Sequence, residues 1–347
     1  MDSQYQELLH RSIGGPVTRE DALLLFQRAC ESQENRELLY ETARQVRTRE
    51  TGDRFRLTGG ISSVLPCHLN PLCLYCPYWR ETDRQGVPIE TIVQAARCFQ
   101  REGIREFHLS GGTKRGSNGA EVLKIVEAIW QAGIRNMEIT VNCGAAMSIE
   151  TMKKLKDMGV VKIGAVFEIA NPKEFARLKP GDNFGEKEAF AWDIKRAGLT
   201  MHSGIMAGLG DSDRRYEDYV DSLFYLKQFP HMVSLYISKF RPDPSIPMRD
   251  HPRCSLDEAC TLVAVARLVL RGADIRIAAG WGRAESEQGI LAGGGNELCA
   301  MMLNHQRLYW KSAEASGASG AAFGETMFLD SREEKRQMAA RMGLTLV

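Results

Sequence analysis

Three of the nine cysteines in this chain lie within one ten-residue segment, Cys67-His-Leu-Asn-Pro-Leu-Cys73-Leu-Tyr-Cys76. This C-x5-C-x2-C pattern supplies three thiolates, which are preferred ligands of zinc and of iron–sulfur clusters. A structural zinc, or a cluster closed by cysteines alone, needs a fourth ligand, for which His68 is the local candidate. Without a fourth protein ligand, one metal coordination position stays open to a cofactor or substrate. The spacing therefore indicates either a zinc site or a cluster with one open iron.

The composition narrows the classes of protein to which this chain can belong. It has 347 residues, and 45 Lys and Arg against 44 Asp and Glu give a net charge of +1, which disfavours binding to nucleic acid or to an anionic membrane. The longest apolar run, 261–270, is interrupted by Arg267, and the first residues do not resemble a secretory leader. An odd number of cysteines without an export signal favours a reducing compartment. We therefore expect a globular cytoplasmic protein.

Short apolar segments alternate with longer amphipathic ones from residue 57 onward, which predicts an α/β fold. Eight strands are predicted, at 57–65, 106–109, 137–141, 161–167, 200–207, 232–239, 275–279 and 298–303. Helices are predicted between them, at 88–102, 119–132, 149–158, 172–197 with an interruption near 180–181, 216–227, 256–270 and 285–291. Eight such units in about 250 residues favour a (β/α)8 TIM-type barrel. An open doubly wound sheet is the alternative.

The predicted barrel occupies residues 51–305, between two smaller parts of the chain. Residues 1–50 are predicted to form an N-terminal helical cover, in which Thr18 and Asp21 resemble a capping box. Residues 306–347 are predicted to be a short C-terminal extension that packs on the barrel, with a loop of small residues at 316–321.

Reactive groups of such barrels lie on the loops that follow the strands. The loops predicted here are 66–79, 110–118, 142–147, 168–172, 208–213, 240–247, 280–285 and 304–305. The three cysteines lie on the first of them, so their metal site is expected at the end of the barrel where an active site would be.

A three-cysteine loop after the first strand of a barrel resembles the radical S-adenosylmethionine (SAM) superfamily. The usual spacing there is C-x3-C-x2-C, and this chain has two more residues in the first gap, a departure shared with HmdB, a protein of iron-guanylylpyridinol cofactor biosynthesis. Tyr75 precedes Cys76 as does the aromatic residue that the superfamily places near the adenine of SAM. The resemblance implies that Cys67, Cys73 and Cys76 hold a [4Fe–4S] cluster.

Other segments resemble the branch of this superfamily that contains biotin synthase, the hydrogenase maturase HydE and methylornithine synthase. They are 41–80, 108–113, 167–180, 208–211, 241–247 and a tail at 324–344, so the resemblance covers roughly 18–345. It implies a SAM site formed by Tyr75, Ser110, Gly111, Gly112, Asn142, Glu168 and Lys187. Lys187 stands where the family has an arginine for the SAM carboxylate. A lysine supplies the charge without the bidentate geometry.

The chain also departs from this branch. The three cysteines that hold a second cluster in biotin synthase align with His108, Val141 and His202, while the arginine aligns with Arg276. The resemblance therefore implies that a sulfur-donor cluster is absent, although a ligand shifted to Cys143, or a metal on the two histidines, stays open. We expect His202 and Arg276 to be catalytic, with Arg276 as a bidentate anchor for an anionic or carboxylate-bearing substrate.

The resemblance implies reductive cleavage of SAM to a 5′-deoxyadenosyl radical that attacks a small-molecule substrate. The cysteine spacing favours an HmdB-like role in cofactor biosynthesis. Another lyase, mutase or methylating enzyme of the HydE or methylornithine synthase type is the alternative, and a zinc-stabilised binding module is the non-enzymatic one. The implied partners are the substrate and an electron donor such as flavodoxin or ferredoxin, with no nucleic acid and no membrane.

Overall fold

Eight parallel strands form a closed barrel in the computed structural model, which describes residues 3–80, 85–278, 280–305, 319–323 and 326–347. The strands are β1 (Arg54–Ile61), β2 (Glu106–Ser110), β3 (Glu138–Asn142), β4 (Val160–Gly164), β5 (Thr200–Ala207), β6 (Met232–Lys239), β7 (Asp274–Ile277) and β8 (Glu297–His305). Each strand pairs with the next, and β1 pairs with β8 from Arg56↔Glu297 to Ile61↔Leu303. The predicted barrel is therefore confirmed over the open sheet. The first and fourth strands end at 61 and 164, so the predictions that they continue to 65 and 167 are wrong.

Helices cover the outer face of the strands. They are α1 (Ser3–Gly14), α2 (Arg19–Glu31), α3 (Gln33–Thr51), α4 (Ile89–Arg101), α5 (Ala120–Gln131), α6 (Ile149–Asp157), α7 (Pro172–Leu178), α8 (Phe184–Arg196), α9 (Arg215–Lys227), α10 (Leu256–Val269), α11 (Arg283–Leu291) and α12 (Arg332–Arg341). Helix α4 shows how they pack, because its apolar residues recur at helical spacing and face the barrel. Phe99 of α4 lies against Phe107 of β2, with ring centroids 5.7 Å apart.

The N-terminal helices lie against α9 and α10. Thr18 forms the predicted capping box with Asp21 and begins α2. The ring of Phe26 on α2 lies 5.7 Å from that of Tyr219 on α9. Helix α1 lies within residues 1–50, which were predicted to form a helical cover. Among the described residues, no helix is long and apolar enough to cross a membrane.

The C-terminal extension adds a hairpin to the barrel wall. Its strands are β9 (Ser319–Phe323) and β10 (Thr326–Asp330), and β10 runs antiparallel to the upper part of β8. Strand β7 pairs with β8 at only two positions, Arg276↔Glu297 and Ile277↔Leu298. The rest of this edge of β8 is therefore free to pair with β10. The loop predicted at 316–321 is wrong for 319–321, while 316–318 lie outside the described residues. A short strand, β11 (Thr345–Leu346), pairs with the start of β1.

The interior of the barrel is called the lumen below. Charged side chains fill its N-terminal half, namely Arg56, Glu106, Lys162, Asp274, Arg276 and Glu297. The Glu106 carboxylate lies 2.6 Å from Lys162 and 3.1 Å from Arg56. Burial raises the pKa of Glu106, but the charges of Lys162 and Arg276 outweigh it and lower that pKa overall. Since cations and carboxylates pair here, this half of the lumen is closed, and a ligand enters from the C-terminal ends of the strands, the mouth of the barrel.

Glycines in the middle of the lumen make room for large side chains on neighbouring strands. A Cβ atom would collide at three positions: Gly60 with His108 at 2.4 Å, Gly164 with Asn142 at 2.8 Å, and Gly204 with Tyr236 at 2.3 Å. The hydrogen-bonding side chains of this layer therefore pack directly against the glycine backbone of the neighbouring strand.

Replacing Gly204 with alanine is expected to destabilise the fold, because the new methyl group overlaps the Tyr236 ring. The expected loss in the free energy of unfolding is about 1–3 kcal/mol, as for other overpacked cores, measured by urea denaturation. Gly272→Ala is the control, because nothing lies within 4 Å of its Cβ position. Equal midpoints for the two variants would show that the Tyr236 layer is not tightly packed.

Candidate active site at the mouth of the barrel

The cysteine loop follows β1 and is held by the loop after β2. The Gly112 amide donates to the Leu65 carbonyl at 2.8 Å, and the His68 amide donates to the Thr113 carbonyl at 2.9 Å. A Cβ on Gly112 would lie 2.2 Å from the Cα of Cys67. Only glycine fits at this position, because the neighbouring atoms belong to backbone that cannot move aside.

The second half of the cysteine loop is held by α7 and by Arg80. The Leu74 amide donates to the Leu178 carbonyl at 2.9 Å, and the Arg80 guanidinium donates to the carbonyls of Cys76, at 3.0 Å, and Cys73. All three loop cysteines are partly buried and free of disulfide bonds. Burial raises the pKa of Cys76 to about 12, so its thiol keeps its proton until a metal displaces it.

The donor set of this loop fits a cluster better than a single ion. Over the ranges that the structure covers, no three or more His, Cys, Asp or Glu side chains are grouped to hold one metal ion. His68, the candidate fourth zinc ligand, is exposed. A cluster bonds each thiolate to a different iron, so its ligands need not converge on one point.

Glu168 lies where the chain returns to the barrel after β4. Its backbone has a φ of 65°, a left-handed conformation uncommon for a residue other than glycine. Two backbone hydrogen bonds to β5 hold it there. The Glu168 amide donates to the Gly204 carbonyl at 2.9 Å, and the Glu168 carbonyl accepts from the Met206 amide at 3.0 Å. A strained residue held by its surroundings is typical of a functional site.

The Glu168 carboxylate is only half satisfied. The Tyr236 hydroxyl donates to Oε1 at 2.8 Å, whereas Oε2 is buried and has no hydrogen-bond partner among the described residues. Burial raises the pKa of Glu168, opposed by the charge of Lys179 and the Tyr236 hydrogen bond. A buried carboxylate oxygen without a donor needs one from a ligand. The hydroxyl groups of a ribose would provide it, so this site fits the nucleoside part of SAM.

Two lysines lie beside Glu168. Lys187 and Lys179 both contact Asp182, at 3.0 Å and 3.3 Å. Burial and the charge of Lys179 lower the pKa of Lys187 to about 8, against the opposing effect of Asp182. This group of charges lies where the sequence predicted a contact to the SAM carboxylate.

The other predicted SAM residues lie around the same opening. Tyr75 is 8% exposed, and Ser110 and Asn142 are the last residues of β2 and β3. The Gly111 amide donates to the Asn142 carbonyl at 3.0 Å, which joins these two strand ends. The structure therefore brings the predicted SAM residues together at the mouth.

The predicted catalytic residues lie deeper in the lumen. His202 is 3% exposed and its Nδ1 lies 2.5 Å from the Ser234 hydroxyl. Burial, with the charge of Arg276, lowers the pKa of His202 well below its usual value, so the ring is neutral near pH 7. A neutral imidazole exchanges hydrogen bonds here rather than supplying charge.

Arg276 is already paired. Its Nε and Nη2 both donate to Glu297, and Nη1 lies 3.0 Å from Nδ1 of His108. The bidentate contact to a substrate stays a prediction, and it would require Nε and Nη2 of Arg276 to leave Glu297. Burial and the Arg276 charge lower the pKa of His108 to about 3, which leaves that ring neutral as well.

The alignment of Val141 with a lumen position is also wrong. Thr140 of β3 donates to the lumen residue Glu106 at 3.0 Å, so alternation along the strand turns Val141 to the outer face, where it joins the hydrophobic core. Cys143 follows the same alternation and lines a cavity of about 210 Å³ beside His68, outside the lumen.

Sequence reasoning missed three residues of this site: Lys179, Asp182 and Tyr236. Tyr236 had a readable signal, because Ser234, Tyr236 and Ser238 alternate along β6 and so share its lumen face. Lys179 and Asp182 had no such signal. The segment after α7 resembles a known family, but its sequence pattern does not indicate which residues these two contact.

Comparison with known proteins agrees with this geometry. Residues 61–223 match the model of the radical SAM superfamily. The chain is 28% identical to an uncharacterized protein of Methanocaldococcus jannaschii, over 83% of this chain and 76% of that one. It is 27% identical to a biotin synthase of Porphyromonas gingivalis (77% and 79% covered) and 26% identical to the [FeFe] hydrogenase maturase subunit HydE of Thermotoga maritima (76% and 72%).

Two solved structures share the fold over nearly the whole chain. Methylornithine synthase matches with a TM-score of 0.77 at 18% identity, covering 98% of this chain and 97% of that one. The maturase HydG of Carboxydothermus hydrogenoformans matches with a TM-score of 0.80 at 17% identity, covering 99% and 78%. The matched region contains the cysteine loop, the glycines after β2 and Glu168. Residues 61–223 of this chain thus match the radical SAM superfamily; the protein is an enzyme, and its cofactors are a [4Fe–4S] cluster and SAM.

Gly112→Ala is expected to lower the iron content of anaerobically reconstituted protein to less than half that of the parent, because the methyl group would push Cys67 out of position. Gly272→Ala again serves as the control and should retain all its iron. Full iron content in Gly112→Ala would mean that the contact with Cys67 does not position the metal ligands.

Proposed function

We propose that this protein is a radical SAM enzyme of cofactor biosynthesis with an HmdB-like role in assembling the iron-guanylylpyridinol cofactor of [Fe]-hydrogenase. The observation that carries the proposal is the C-x5-C-x2-C loop at the mouth of the barrel, beside the unsatisfied oxygen of Glu168. One electron from the reduced cluster would cleave SAM to methionine and a 5′-deoxyadenosyl radical. A small molecule in the lumen is the substrate, and a flavodoxin or ferredoxin is the electron donor.

Cys67, Cys73 and Cys76 would hold the cluster, each thiolate on a different iron. The loop is fixed on one side by Gly112 and on the other by α7, so its thiolates are positioned before the metal binds. The loop would supply three thiolates to the cluster, which would leave a position open for SAM.

The residues around Glu168 would bind SAM. Glu168 Oε2 accepts a hydrogen bond from the ribose, Lys187 attracts the carboxylate, and Tyr75 lies against the adenine. The backbone of Ser110, Gly111 and Gly112, with Asn142, holds the amino group. These contacts orient SAM and exclude water from the mouth.

His202 and Arg276 would serve the substrate at the lower end of the lumen. Arg276 orients the neutral ring of His108 through Nη1, and His202 offers Nε2 while Ser234 holds Nδ1. Because Glu297 neutralises Arg276, an anionic group of the substrate would take a single hydrogen bond there.

A lyase, mutase or methylating enzyme of the HydE or methylornithine synthase type is the second candidate. It is favoured by the lumen positions of β2, β3 and β5, where His108, Thr140 and His202 replace a set of cysteines that sulfur insertion would need. Deletion of the gene in its source organism separates the two. Loss of the guanylylpyridinol cofactor, measured by mass spectrometry, supports the HmdB-like role. Cofactor at the parental level contradicts it.

Replacing any one of the three loop cysteines with serine is expected to abolish SAM cleavage and to lower the iron content, since a hydroxyl is a poor cluster ligand. Both are measured under anaerobic conditions. Cys98→Ser, on α4 outside the loop, is the matched control and should behave as the parent. If all three loop variants keep parental iron and activity, the assignment of these ligands is wrong.

Glu168→Gln is expected to weaken SAM binding by about 10- to 100-fold, the effect of losing a hydrogen bond to a charged acceptor. The cluster should be retained, which its visible absorption reports. Glu138→Gln, which replaces an exposed carboxylate at the start of β3, is the control. Unchanged SAM affinity in a titration of Glu168→Gln would remove Glu168 from the site.

The barrel is expected to hold one cluster, so anaerobically reconstituted protein should contain about four irons per chain. Iron and sulfide analysis measures this directly. Additional iron that disappears in His108→Asn or His202→Asn would contradict it and would return sulfur insertion to consideration.

A further inference from the structure

Two buried lysines share a single carboxylate at the mouth of the barrel. The ammonium groups of Lys187 and Lys179 lie 3.0 Å and 3.3 Å from Oδ2 of Asp182. The side chain of Lys187 is 3% exposed, that of Lys179 is 6% exposed and that of Asp182 is 8% exposed. Since both cations are within hydrogen-bond or ion-pair distance of one anion, the group carries a net charge of about +1 in a region of low dielectric.

Lys179 makes no other direct ion pair with a carboxylate in the part of the chain that the structure describes, and Glu168 is a further carboxylate near enough to be affected by its charge. The Lys179 ammonium donates to the Val166 carbonyl at 3.1 Å and lies 4.6 Å from the centre of the Phe175 ring. Neither contact cancels its charge. Lys179 is therefore the source of the excess, because Asp182 offsets the charge of Lys187.

This group lies directly against the cysteine loop. A Cβ on Gly181 would be 2.2 Å from the Pro71 carbonyl oxygen, and the Leu74 amide donates to the carbonyl of Leu178, one residue before Lys179. The excess charge thus lies between the loop that carries the cysteines and Glu168, whose pKa it lowers against the effect of burial.

We propose that Lys179 supplies the net positive charge that binds the carboxylate of SAM, and that Asp182 sets the size of this charge because its one carboxylate offsets only one of the two lysines. This rests on the proposed function, in which SAM occupies this site. Lys187 alone, paired with Asp182, would present a neutral pair to an anion. With Lys179 the pair becomes a cationic site, and the carboxylate of SAM brings the matching negative charge.

Asp182 is held by its own surroundings, which makes an isosteric test possible. Its Oδ1 accepts from the Asn183 amide at 2.9 Å, at the start of α8. Asp182→Asn can keep this hydrogen bond and the size of the side chain, and it replaces the charged Oδ2 with a neutral amide group that no longer attracts the two lysines. Lys179→Gln removes the positive charge, and Lys179→Arg retains it.

The experiment measures SAM affinity by anaerobic equilibrium dialysis on holoprotein of verified iron content. Lys179→Gln should bind SAM about tenfold more weakly than the parent, and Lys179→Arg within about threefold of it. Asp182→Asn should bind about threefold more tightly. The double variant Lys179→Gln/Asp182→Asn restores the net charge and should return to within about threefold of the parent.

The proposal is overturned if Lys179→Gln binds SAM like the parent, or if it binds weakly and the double variant does not recover, since Lys179 would then act through packing. If Lys179→Gln loses its cluster, Asp182→Asn decides alone, and unchanged or weaker binding overturns the proposal. A parent that holds its cluster and does not bind SAM contradicts the proposed function itself, and this assignment falls with it.

Discussion

The contact between Gly112 and Cys67 is the constraint on which the rest of the site depends. It places the backbone after β2 against the backbone of the cysteine loop, at a distance that leaves no space for a side chain. Because β1 and β2 are adjacent in the barrel, their register carries this contact, and the barrel in turn needs the closure between β1 and β8. The position of the three cysteines thus follows from the hydrogen-bonded strands and not from the loop alone.

The lumen changes in character from one end to the other. At the N-terminal end, ion pairs such as Lys162 with Glu106 close the interior. In the middle, glycines admit neutral polar side chains, and among the described residues the only buried carboxylate oxygen without a hydrogen-bond partner is Glu168 Oε2, at the mouth. Charge is therefore satisfied within the protein at depth and left for a ligand at the mouth. This order suits chemistry in which a charged cofactor binds above a substrate chamber that excludes water.

Much of this architecture could be predicted from the pattern of the sequence. The alternation of strands and helices predicts the barrel, and the loop that follows β1 predicts where the cysteines lie, because both depend on local periodicity. The pairing of Arg276 with Glu297 could not be predicted, since it depends on the register between β7 and β8. The alignment that placed Val141 in the lumen was off by one residue, and in a strand a shift of one residue reverses the face.

The C-terminal hairpin and the lysine pair were missed for different reasons. The small residues of β9 resemble a loop, and they become a strand because they pair with β10, which itself pairs with the free edge of β8. Lys179 and Lys187 lie on opposite sides of the turn between α7 and α8, so their meeting at Asp182 needs the turn geometry. Long-range or turn-dependent contacts of this kind have no periodic signature.

The central claim is that the loop cysteines hold a cluster with one iron open to SAM. Electron–nuclear double resonance of the reduced protein with SAM carrying ¹⁵N in its amino group tests it most directly. The account predicts a ¹⁵N hyperfine coupling on the cluster signal that is absent with unlabelled SAM. A cluster signal that shows no coupling to bound, labelled SAM would contradict the account.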